Sequence, residues 1–337
     1  MPLLDAFSRP LRDLRISVID RCNFRCPYCM PAEIFGETYE FLPRQEILTF
    51  EEVVRLAGLF VGLGASKLRI TGGEPLLRRE LETLIRQLAR IQGADDLTLT
   101  TNGYLLGGKA QVLKDAGLHR LTISLDSLDP DIFKTMNGKG YDVETVLGAI
   151  SAAEKAGFHP LKINAVVQKD LNDHTLVDLA THFRGTGHIV RFIEYMDVGN
   201  RNQWEMDHVV PAEEILQRIG DVYPIEPVPS NYPGEVAARY RYLDGAGEIG
   251  VIASVTRPFC GNCTRARLST EGRLYTCLFA SEGVDLKTPL RTGASDDDLL
   301  DIIRGVWRTR DDRYSELRDL QGERAGETKV EMYKIGG

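Results

Sequence analysis

The sequence of 337 residues predicts an α/β fold in which an open (β/α)6 partial TIM barrel is followed by a C-terminal α+β extension. The first observation is that six short apolar segments alternate with amphipathic helical segments between residues 11 and 220. Such alternation indicates a parallel sheet with right-handed crossovers, and the missing seventh and eighth units leave the barrel open. The second observation is a change of composition after residue 220, where a Pro-rich passage leads into short strands. We therefore expect two domains, 1–220 and 221–337.

The elements follow from the apolar periodicity along the chain. Strands are predicted over 12–18, 67–71, 96–101, 120–125, 160–167 and 189–195. Helices are predicted over 50–63, 78–91, 106–116, 142–156, 173–185 and 211–219, with a further helix over 295–309 in the second domain.

Side chains in the first five strands alternate between an apolar face and a polar face. In the first strand, for example, Leu14 and Ile16 oppose Arg15 and Ser17. A solvated strand face would give the same pattern, but helices cover a parallel sheet and the parity repeats in five successive strands. The apolar face must then meet the helices, so the polar face lines the barrel. An ordinary barrel fills its interior with branched aliphatic side chains, so we expect this one to hold a ligand.

The charged residues on this inner face are cationic. They are Arg15, Lys67, Arg69 and Lys162, joined by Arg191 on the sixth strand. Like charges that converge on one cavity are costly unless an anion neutralises them, and phosphate oxygens suit both Arg and Lys. The formal net charge of −8 argues against a nucleic-acid polymer or an anionic membrane as the partner. A phosphorylated small molecule is the expected ligand.

The cysteines form two groups of three. They are Cys22, Cys26 and Cys29 near the start, and Cys260, Cys263 and Cys277 near the end. A structural zinc site takes four ligands, and no histidine lies in or beside either group. Three thiolates without an evident fourth ligand indicate an iron–sulfur cluster with one open iron. A zinc site closed by a distant Asp, Glu or His stays open as an alternative.

Composition and targeting signals favour a cytoplasmic globular protein. Hydrophobic residues make up 43% of the chain and charged residues 27%, which is typical of a packed domain. We find no signal-peptide pattern and no apolar run approaching the roughly 18 residues that span a bilayer. Without an export signal, a disulfide framework is disfavoured as well.

The motifs around the cysteines carry a resemblance to a known superfamily. The C-x3-C-x2-C spacing from Cys22 to Cys29, with Tyr28 before the last cysteine, is followed by Thr71-Gly-Gly-Glu-Pro75. This combination resembles the radical S-adenosylmethionine (SAM) superfamily. Further motifs are LRITGGEPLLR, TTNG, SLDSL, RFIEYMDVG, FCGNCTRARLS, the later Cys277 and the terminal Gly-Gly. Over essentially the whole length they resemble the radical SAM cyclase family that acts on GTP in the first step of molybdenum cofactor biosynthesis.

The resemblance implies two [4Fe–4S] clusters. Cys22, Cys26 and Cys29 would hold the cluster whose fourth iron is chelated by SAM, and Tyr28, Gly73, Ser124 and Met196 would line the SAM site. Cys260, Cys263 and Cys277 would hold a second cluster whose open iron binds the guanine of GTP. The implied GTP contacts are Arg15, Lys67, Arg69, Thr100, Lys162, Arg191, Arg265 and Arg267. Arg15 and the tail residues Gly336 and Gly337 would serve catalysis, because the family's Gly-Gly tail reaches into the active site.

The implied reaction is a radical cyclisation by a lyase. SAM is cleaved to 5′-deoxyadenosine and methionine, and GTP becomes (8S)-3′,8-cyclo-7,8-dihydroguanosine 5′-triphosphate. The resemblance further implies an electron donor of unknown identity and a pathway link to cyclic pyranopterin monophosphate synthase. The sequence leaves the oligomeric state open, with a homodimer as one option.

Three other interpretations compete with this one. Another radical SAM enzyme with an auxiliary cluster, such as a peptide-modifying one, typically carries more cysteines and needs no cationic interior. A zinc-stabilised binding module is disfavoured by the three-ligand groups and the GGEP turn. A simple guanine-nucleotide binding protein is weakly supported, because the sequence has no G-x4-G-K-[ST] loop.

Overall fold

The computed structural model describes residues 3–318 and 328–336. Its centre is a parallel array of six strands that pair with one another in chain order. They are β1 (Asp13–Ser17), β2 (Lys67–Thr71), β3 (Asp96–Thr101), β4 (Arg120–Ser124), β5 (Lys162–Val167) and β6 (Ile189–Glu194). The α/β prediction with a parallel sheet is thereby confirmed, and each strand bound lies within two residues of the predicted one.

Strands from the C-terminal part of the chain extend this array at both edges. They are β7 (Ile225–Val228), β8 (Ala238–Tyr242), β9 (Glu248–Ile252), β10 (Arg265–Leu268), β11 (Arg273–Tyr275) and β12 (Val284–Asp285). β10 pairs in parallel with β1, and β9 pairs in parallel with β6. Antiparallel strands continue outward from each, so the sheet order in the described residues is β12-β11-β10-β1-β2-β3-β4-β5-β6-β9-β8-β7.

Helices flank the sheet, and the longer ones cover its apolar face. They are α1 (Phe50–Gly62), α2 (Leu81–Leu88), α3 (Ala110–Asp115), α4 (Pro130–Asn137), α5 (Val143–Lys155), α6 (Leu176–Phe183), α7 (Ala212–Gly220), α8 (Lys287–Arg291), α9 (Asp296–Arg308) and the short α10 (Met332–Ile335). α1, α5, α7 and α9 match their predicted segments within one residue at each end. None of the described helices is long and apolar enough to cross a membrane.

Three predicted helices were too long, and among the described helices α4 and the short α8 and α10 were missed. The segment 78–91 shortens to α2 because a 3₁₀ turn over Pro75–Leu77 and a left-handed Glu80 (φ 57°) precede it. The segment 106–116 shortens to α3, and 173–185 opens with a separate 3₁₀ turn before α6. The start of α4 is fixed by Asp129: its carboxylate accepts hydrogen bonds from the amides of Asp131 and Ile132.

The core lies between the apolar strand face and the helices. Leu14, Ile16, Leu68 and Ile70 are fully buried there, and α1 packs Phe60 into the same cluster. Burying each such side chain contributes about 1.5–3 kcal/mol, which holds the alternation in register. The opposite parity, carrying Arg15 and Arg69, is left to face a cavity.

Candidate active site

Two adjoining cavities lie on the polar face of the sheet. We call them the N-terminal cysteine cavity, lined by Cys22, Cys26 and Cys29, and the C-terminal cysteine cavity, lined by Cys260, Cys263 and Cys277. The two cavities share the residues Thr100, Asn164, Ile193, Met196 and Met332. A ligand in one cavity would therefore lie beside a ligand in the other.

The N-terminal cysteine cavity contains the residues that the sequence assigned to SAM. Tyr28, Gly73, Ser124 and Met196 all line it. The Tyr28 hydroxyl donates to Asp126 Oδ2 at 2.8 Å, so its ring is held in place by a buried carboxylate. Burial raises the pKa of Asp126 to about 6, while its hydrogen bonds from Val166 N–H and Tyr28 act in the opposite direction.

The GGEP turn packs directly on the loop that carries the cysteines. The Gly73 amide donates to the Ile19 carbonyl at 2.8 Å, and the Glu74 amide donates to the Arg21 carbonyl at 2.8 Å. A Cβ atom on Gly73 would lie 2.3 Å from the Arg21 carbonyl oxygen. Only glycine permits this approach, so the turn fixes the cysteine loop as well as lining the cavity.

The C-terminal cysteine cavity begins with a 3₁₀ turn over Cys260–Asn262 that leads into β10. On β10, the Arg265 guanidinium lies 3.2–3.3 Å from the Cys263 sulfur. Burial alone would raise the pKa of Cys263, but Arg265 and then Arg310 outweigh burial and lower this pKa to about 6. Burial raises the pKa of Cys277 to about 12. One thiolate of this group is thus stabilised by the protein itself.

Cations form the opposite wall of the C-terminal cysteine cavity. Its lining includes Arg15, Lys67, Arg69, Arg191, Arg265 and Arg267, together with Thr100. Burial, and then the neighbouring Arg267 and Arg69, lower the pKa of Arg15 well below its usual range. Arg69 donates from Nη1 to Thr100 Oγ1 at 2.9 Å. These guanidiniums repel one another, so an anionic ligand would be bound tightly here.

Of the described residues that are predicted to contact GTP, only Lys162 lines neither cavity. It nevertheless lies behind the same wall. Burial, then Arg191, then Arg120, lower its pKa to about 6. Its amine therefore holds a proton less readily than that of an ordinary lysine until an anion approaches.

The chain terminus reaches the junction of the two cavities. Arg267 Nη1 donates to the Ile335 carbonyl at 3.3 Å and to the Gly336 carbonyl. Gly336 has φ 72°, and a Cβ atom there would lie 2.1 Å from Thr71 Cγ2. Met332 lines both cavities. Gly337, the other tail residue of the prediction, lies outside the described residues.

Two family models match successive parts of the chain. Residues 16–183 match the family model of the Radical SAM superfamily, and residues 188–316 match that of Molybdenum Cofactor Synthesis C. A GTP 3′,8-cyclase of Acidothermus cellulolyticus is 51% identical over 359 aligned residues, which cover 100% of this chain and 99% of that protein. Those of Xanthomonas campestris and Staphylococcus haemolyticus are 50% and 48% identical, covering 100% and 99% of this chain and 98% of each relative.

The chain belongs to the GTP 3′,8-cyclase family. A solved structure of SuiB from Streptococcus suis with S-adenosylmethionine bound shares the fold with a TM-score of 0.51 at 18% identity, over 64% of this chain and 47% of that one. Membership of the radical SAM superfamily brings a [4Fe–4S] cluster and SAM as cofactors.

The residues of the N-terminal cysteine cavity fit these cofactors. Burial raises the pKa of Cys22 to about 12 and raises that of Cys26 and Cys29 as well, so the thiols need a metal to become thiolates. A mononuclear site would need its donor atoms close together. Among the described residues, the three sulfur atoms of neither cysteine group all lie within 4.8 Å of one another. This wider spacing suits a cluster, and the buried Asn164 Oδ1, which has no hydrogen-bond partner among the described residues, offers a free acceptor to a ligand.

Sequence reasoning missed several polar residues of the site. The alternation places Asp126 and Asn164 on the inward face at β4 and β5, but the sequence assigned neither of them a role in the site. Glu74 was quoted only as part of the turn. It is 1% exposed, accepts hydrogen bonds from the amides of Leu76 and Asn102, and has its pKa raised by burial to about 7.

Glu154, His159 and His188 form a further group of side chains that could ligate a metal, and this group lies away from both cavities. His188 Nδ1 accepts a hydrogen bond from the Leu161 amide at 3.3 Å, which leaves the proton on Nε2. That nitrogen faces Glu154 Oε1 at 3.0 Å. A metal would need Nε2 free of its proton, so this tautomer favours a charge contact with Glu154 over a metal site.

Proposed function

We propose that this chain is a GTP 3′,8-cyclase that takes GTP and SAM as its substrates. The observation that carries the proposal is the junction of the two cavities. One has three cysteines and the GGEP turn, the other has three cysteines and a cationic wall, and they share five residues. A nucleotide polyphosphate in the second cavity would present its sugar to a ligand in the first.

We also propose an architecture in which the sheet curves into an open partial barrel, with 1–220 as the radical SAM core and 221–337 as the extension. Its support is the sheet order, which ends at β12 on one side and β7 on the other. The extension would place Cys260, Cys263 and Cys277 around a second [4Fe–4S] cluster. The stabilised Cys263 thiolate supports this assignment.

In the N-terminal cysteine cavity, Cys22, Cys26 and Cys29 would hold the first cluster, and Tyr28, Gly73, Ser124 and Met196 would hold SAM. When bound, these cofactors would supply radical chemistry that takes a hydrogen atom from the ribose, with the electron coming from an external donor. The protein's part is to fix the distance between the two ligands and to keep water away from the radicals. Met196 is suited to this task because it contributes to both cavities.

In the C-terminal cysteine cavity, the cations would bind the triphosphate. Arg15, Arg69 and Arg191 offer guanidinium donors, and Thr100 is already oriented by Arg69. Arg265 and Arg267, on one face of β10, would lie between the second cluster and the nucleotide. Lys162 would take up a proton as the phosphates approach, because their charge offsets the desolvation that lowers its pKa.

The tail would close the site. Arg267 holds the carbonyl groups of Ile335 and Gly336, so the last residues follow from a buried anchor. A glycine is required at 336 by both its φ angle and the contact with Thr71. The catalytic role predicted for Gly337, which lies outside the described residues, stays a prediction.

Four further expectations remain predictions. They are a homodimer as one oligomeric option, an electron donor of unknown identity, a pathway link to cyclic pyranopterin monophosphate synthase, and a cytoplasmic location. The oligomeric state, the pathway link and the location do not enter the chemistry of the site, whereas the electron donor does, because the reductive cleavage of SAM takes up one electron.

The test is an anaerobic assay of the protein reconstituted with iron and sulfide. After reduction and addition of SAM, 5′-deoxyadenosine is quantified with GTP, with ATP and without nucleotide. We expect strong stimulation by GTP alone and a new nucleotide with the mass of GTP. SAM cleavage that is indifferent to GTP would refute the substrate, and zinc without sulfide would support the binding-module interpretation instead.

A further inference from the structure

The loop over residues 229–236, which joins β7 to β8, forms part of the cationic end of the C-terminal cysteine cavity. Tyr232, Gly234 and Val236 line the cavity from this loop. None of these residues belongs to a cysteine motif or to the strands whose alternation identified the cationic wall. The loop therefore adds a substrate-facing element that the function proposed above does not use.

A turn with a defined geometry holds Tyr232 in place. The Glu235 amide donates to the Tyr232 carbonyl at 3.2 Å, which closes a β-turn with Pro233 second and Gly234 third. Gly234 has φ 85°, as the third position of a type II turn requires. A Cβ atom at Gly234 would lie 2.9 Å from the Asn262 carbonyl oxygen. The turn thus rests directly on the loop between Cys260 and Cys263.

This turn places the Tyr232 hydroxyl beside Lys67 in the C-terminal cysteine cavity. Lys67 Nζ donates to the hydroxyl at 2.9 Å. Lys67 also pairs with Asp13 Oδ1 at 3.3 Å, and the two residues are the first of β2 and β1 and lie in register. The Tyr232 hydroxyl therefore lies at the N-terminal ends of the strands. The cysteines of the first group follow the C-terminal end of β1, at the opposite end of the sheet.

The hydrogen-bonding capacity of the phenol decides what it can do. A phenol has one O–H to donate, and here its oxygen already accepts from the Lys67 ammonium. Within residues 3–318 and 328–336 the hydroxyl has no second hydrogen-bond partner, so its O–H is available to a ligand. A donor polarised by an ammonium group and set among arginines suits an anionic oxygen.

Resting on the proposed function, we propose that Tyr232 donates a hydrogen bond to the polyphosphate of GTP beyond its α-phosphate. Together with Lys67 it sets the enzyme's preference for a nucleoside triphosphate over a monophosphate. The base would lie near Cys260, Cys263 and Cys277, and the phosphate chain would extend along the cationic wall toward β1 and β2. The sugar would lie at the junction of the two cavities, toward the C-terminal ends of the strands, so the outer phosphates are the ones that would approach the first residues of β1 and β2.

The test compares Tyr232→Phe with Tyr240→Phe in the full chain reconstituted with iron and sulfide, without SAM or reductant so that no turnover occurs. Tyr240 is a half-buried tyrosine of β8 that lines neither cavity. Calorimetry gives the Kd of GTP, and competition against GTP gives that of GMP. Because a hydrogen bond to a charged group is lost, we expect Tyr232→Phe to raise the Kd of GTP about tenfold or more. The Kd of GMP should change less than about twofold, and Tyr240→Phe should change neither.

Two results would overturn the inference alone. One is an equal loss of affinity for GTP and GMP in Tyr232→Phe, and the other is wild-type affinity for both. The melting temperature and iron content of Tyr232→Phe, compared with those of Tyr240→Phe, show whether a loss reflects the contact or the fold. A wild-type protein that binds ATP as tightly as GTP would instead refute the proposed function, and this inference with it.

Discussion

Gly336→Ala is the substitution whose consequence follows most directly from the geometry of the tail. Gly336 adopts φ 72°, and the added Cβ atom would lie 2.1 Å from Thr71 Cγ2. That methyl group belongs to the last residue of β2, which is 3% exposed and has little room to move. The tail, which is anchored by Arg267, must therefore shift away from Thr71.

The magnitude can be estimated from two contributions. A left-handed φ costs a residue with a side chain about 1–2 kcal/mol. Forcing the added methyl group against Thr71 costs about 1–3 kcal/mol more. Together they disfavour the seated tail by about 2–5 kcal/mol, a factor of about 30 to a few thousand, against which the hydrogen bonds from Arg267 act. If turnover needs the seated tail, cyclisation should fall at least tenfold.

The assay measures product formation from GTP, the iron content and the melting temperature. Gly140→Ala is the matched control, because Gly140 has a similar φ of 69° and no atom within 4 Å of its Cβ position. We expect Gly336→Ala to lose turnover while it retains iron and melts almost as the wild type does, and Gly140→Ala to retain turnover. Full activity in Gly336→Ala would refute the reasoning, and so would a loss of clusters in that variant.

Three further predictions concern the cations, the second cluster and the fold. Because the pKa of Lys162 is lowered to about 6 and bound phosphate raises it again, GTP affinity should fall as pH rises above 6, by up to about tenfold per pH unit. Calorimetry in buffers of different ionisation enthalpy should detect proton uptake on GTP binding, and Lys162→Met should abolish that uptake. A Kd of GTP that does not depend on pH would contradict this prediction. Cys277→Ser should reduce the iron content from about eight to about four atoms per chain, and iron retained at eight would contradict the second cluster. Glu194 is fully buried and accepts hydrogen bonds from the amides of Ala212, Val255 and Thr256. In Glu194→Gln the side-chain NH₂ group would face one of these N–H donors, so the melting temperature should fall by about 5 °C. An unchanged melting temperature would contradict this prediction.

The sequence predicted what depends on short-range patterns. Strand alternation placed Arg15 and Arg69 on the inner face, because successive side chains must point to opposite sides of a sheet. The grouping of the cysteines identified two sites, since soft donors at close spacing suit a metal or cluster. The GGEP turn was recognised from its letters, and the structure adds the reason for Gly73, which is its contact with the Arg21 carbonyl.

Long-range pairing and short local signals were not predicted. Nothing in the sequence of β10 indicates that it pairs with β1, yet this pairing brings Arg267 beside Arg15. The helix α4 was missed although Asp129-Pro130 is a recognisable start signal. Tyr232 was missed for a similar reason: the Tyr-Pro-Gly-Glu turn can be read from the sequence, but its seat against Asn262 cannot.

The most direct test of how the two cavities work together is to determine where the hydrogen atom at C3′ of the GTP ribose goes. We propose that GTP binds in the C-terminal cysteine cavity with its sugar at the junction with the N-terminal cysteine cavity. With GTP deuterated at C3′, the reduced enzyme and SAM should yield 5′-deoxyadenosine that carries deuterium, detected by mass spectrometry. Abundant 5′-deoxyadenosine without deuterium would contradict the arrangement, because the sugar would then not be the group that the two cavities bring together.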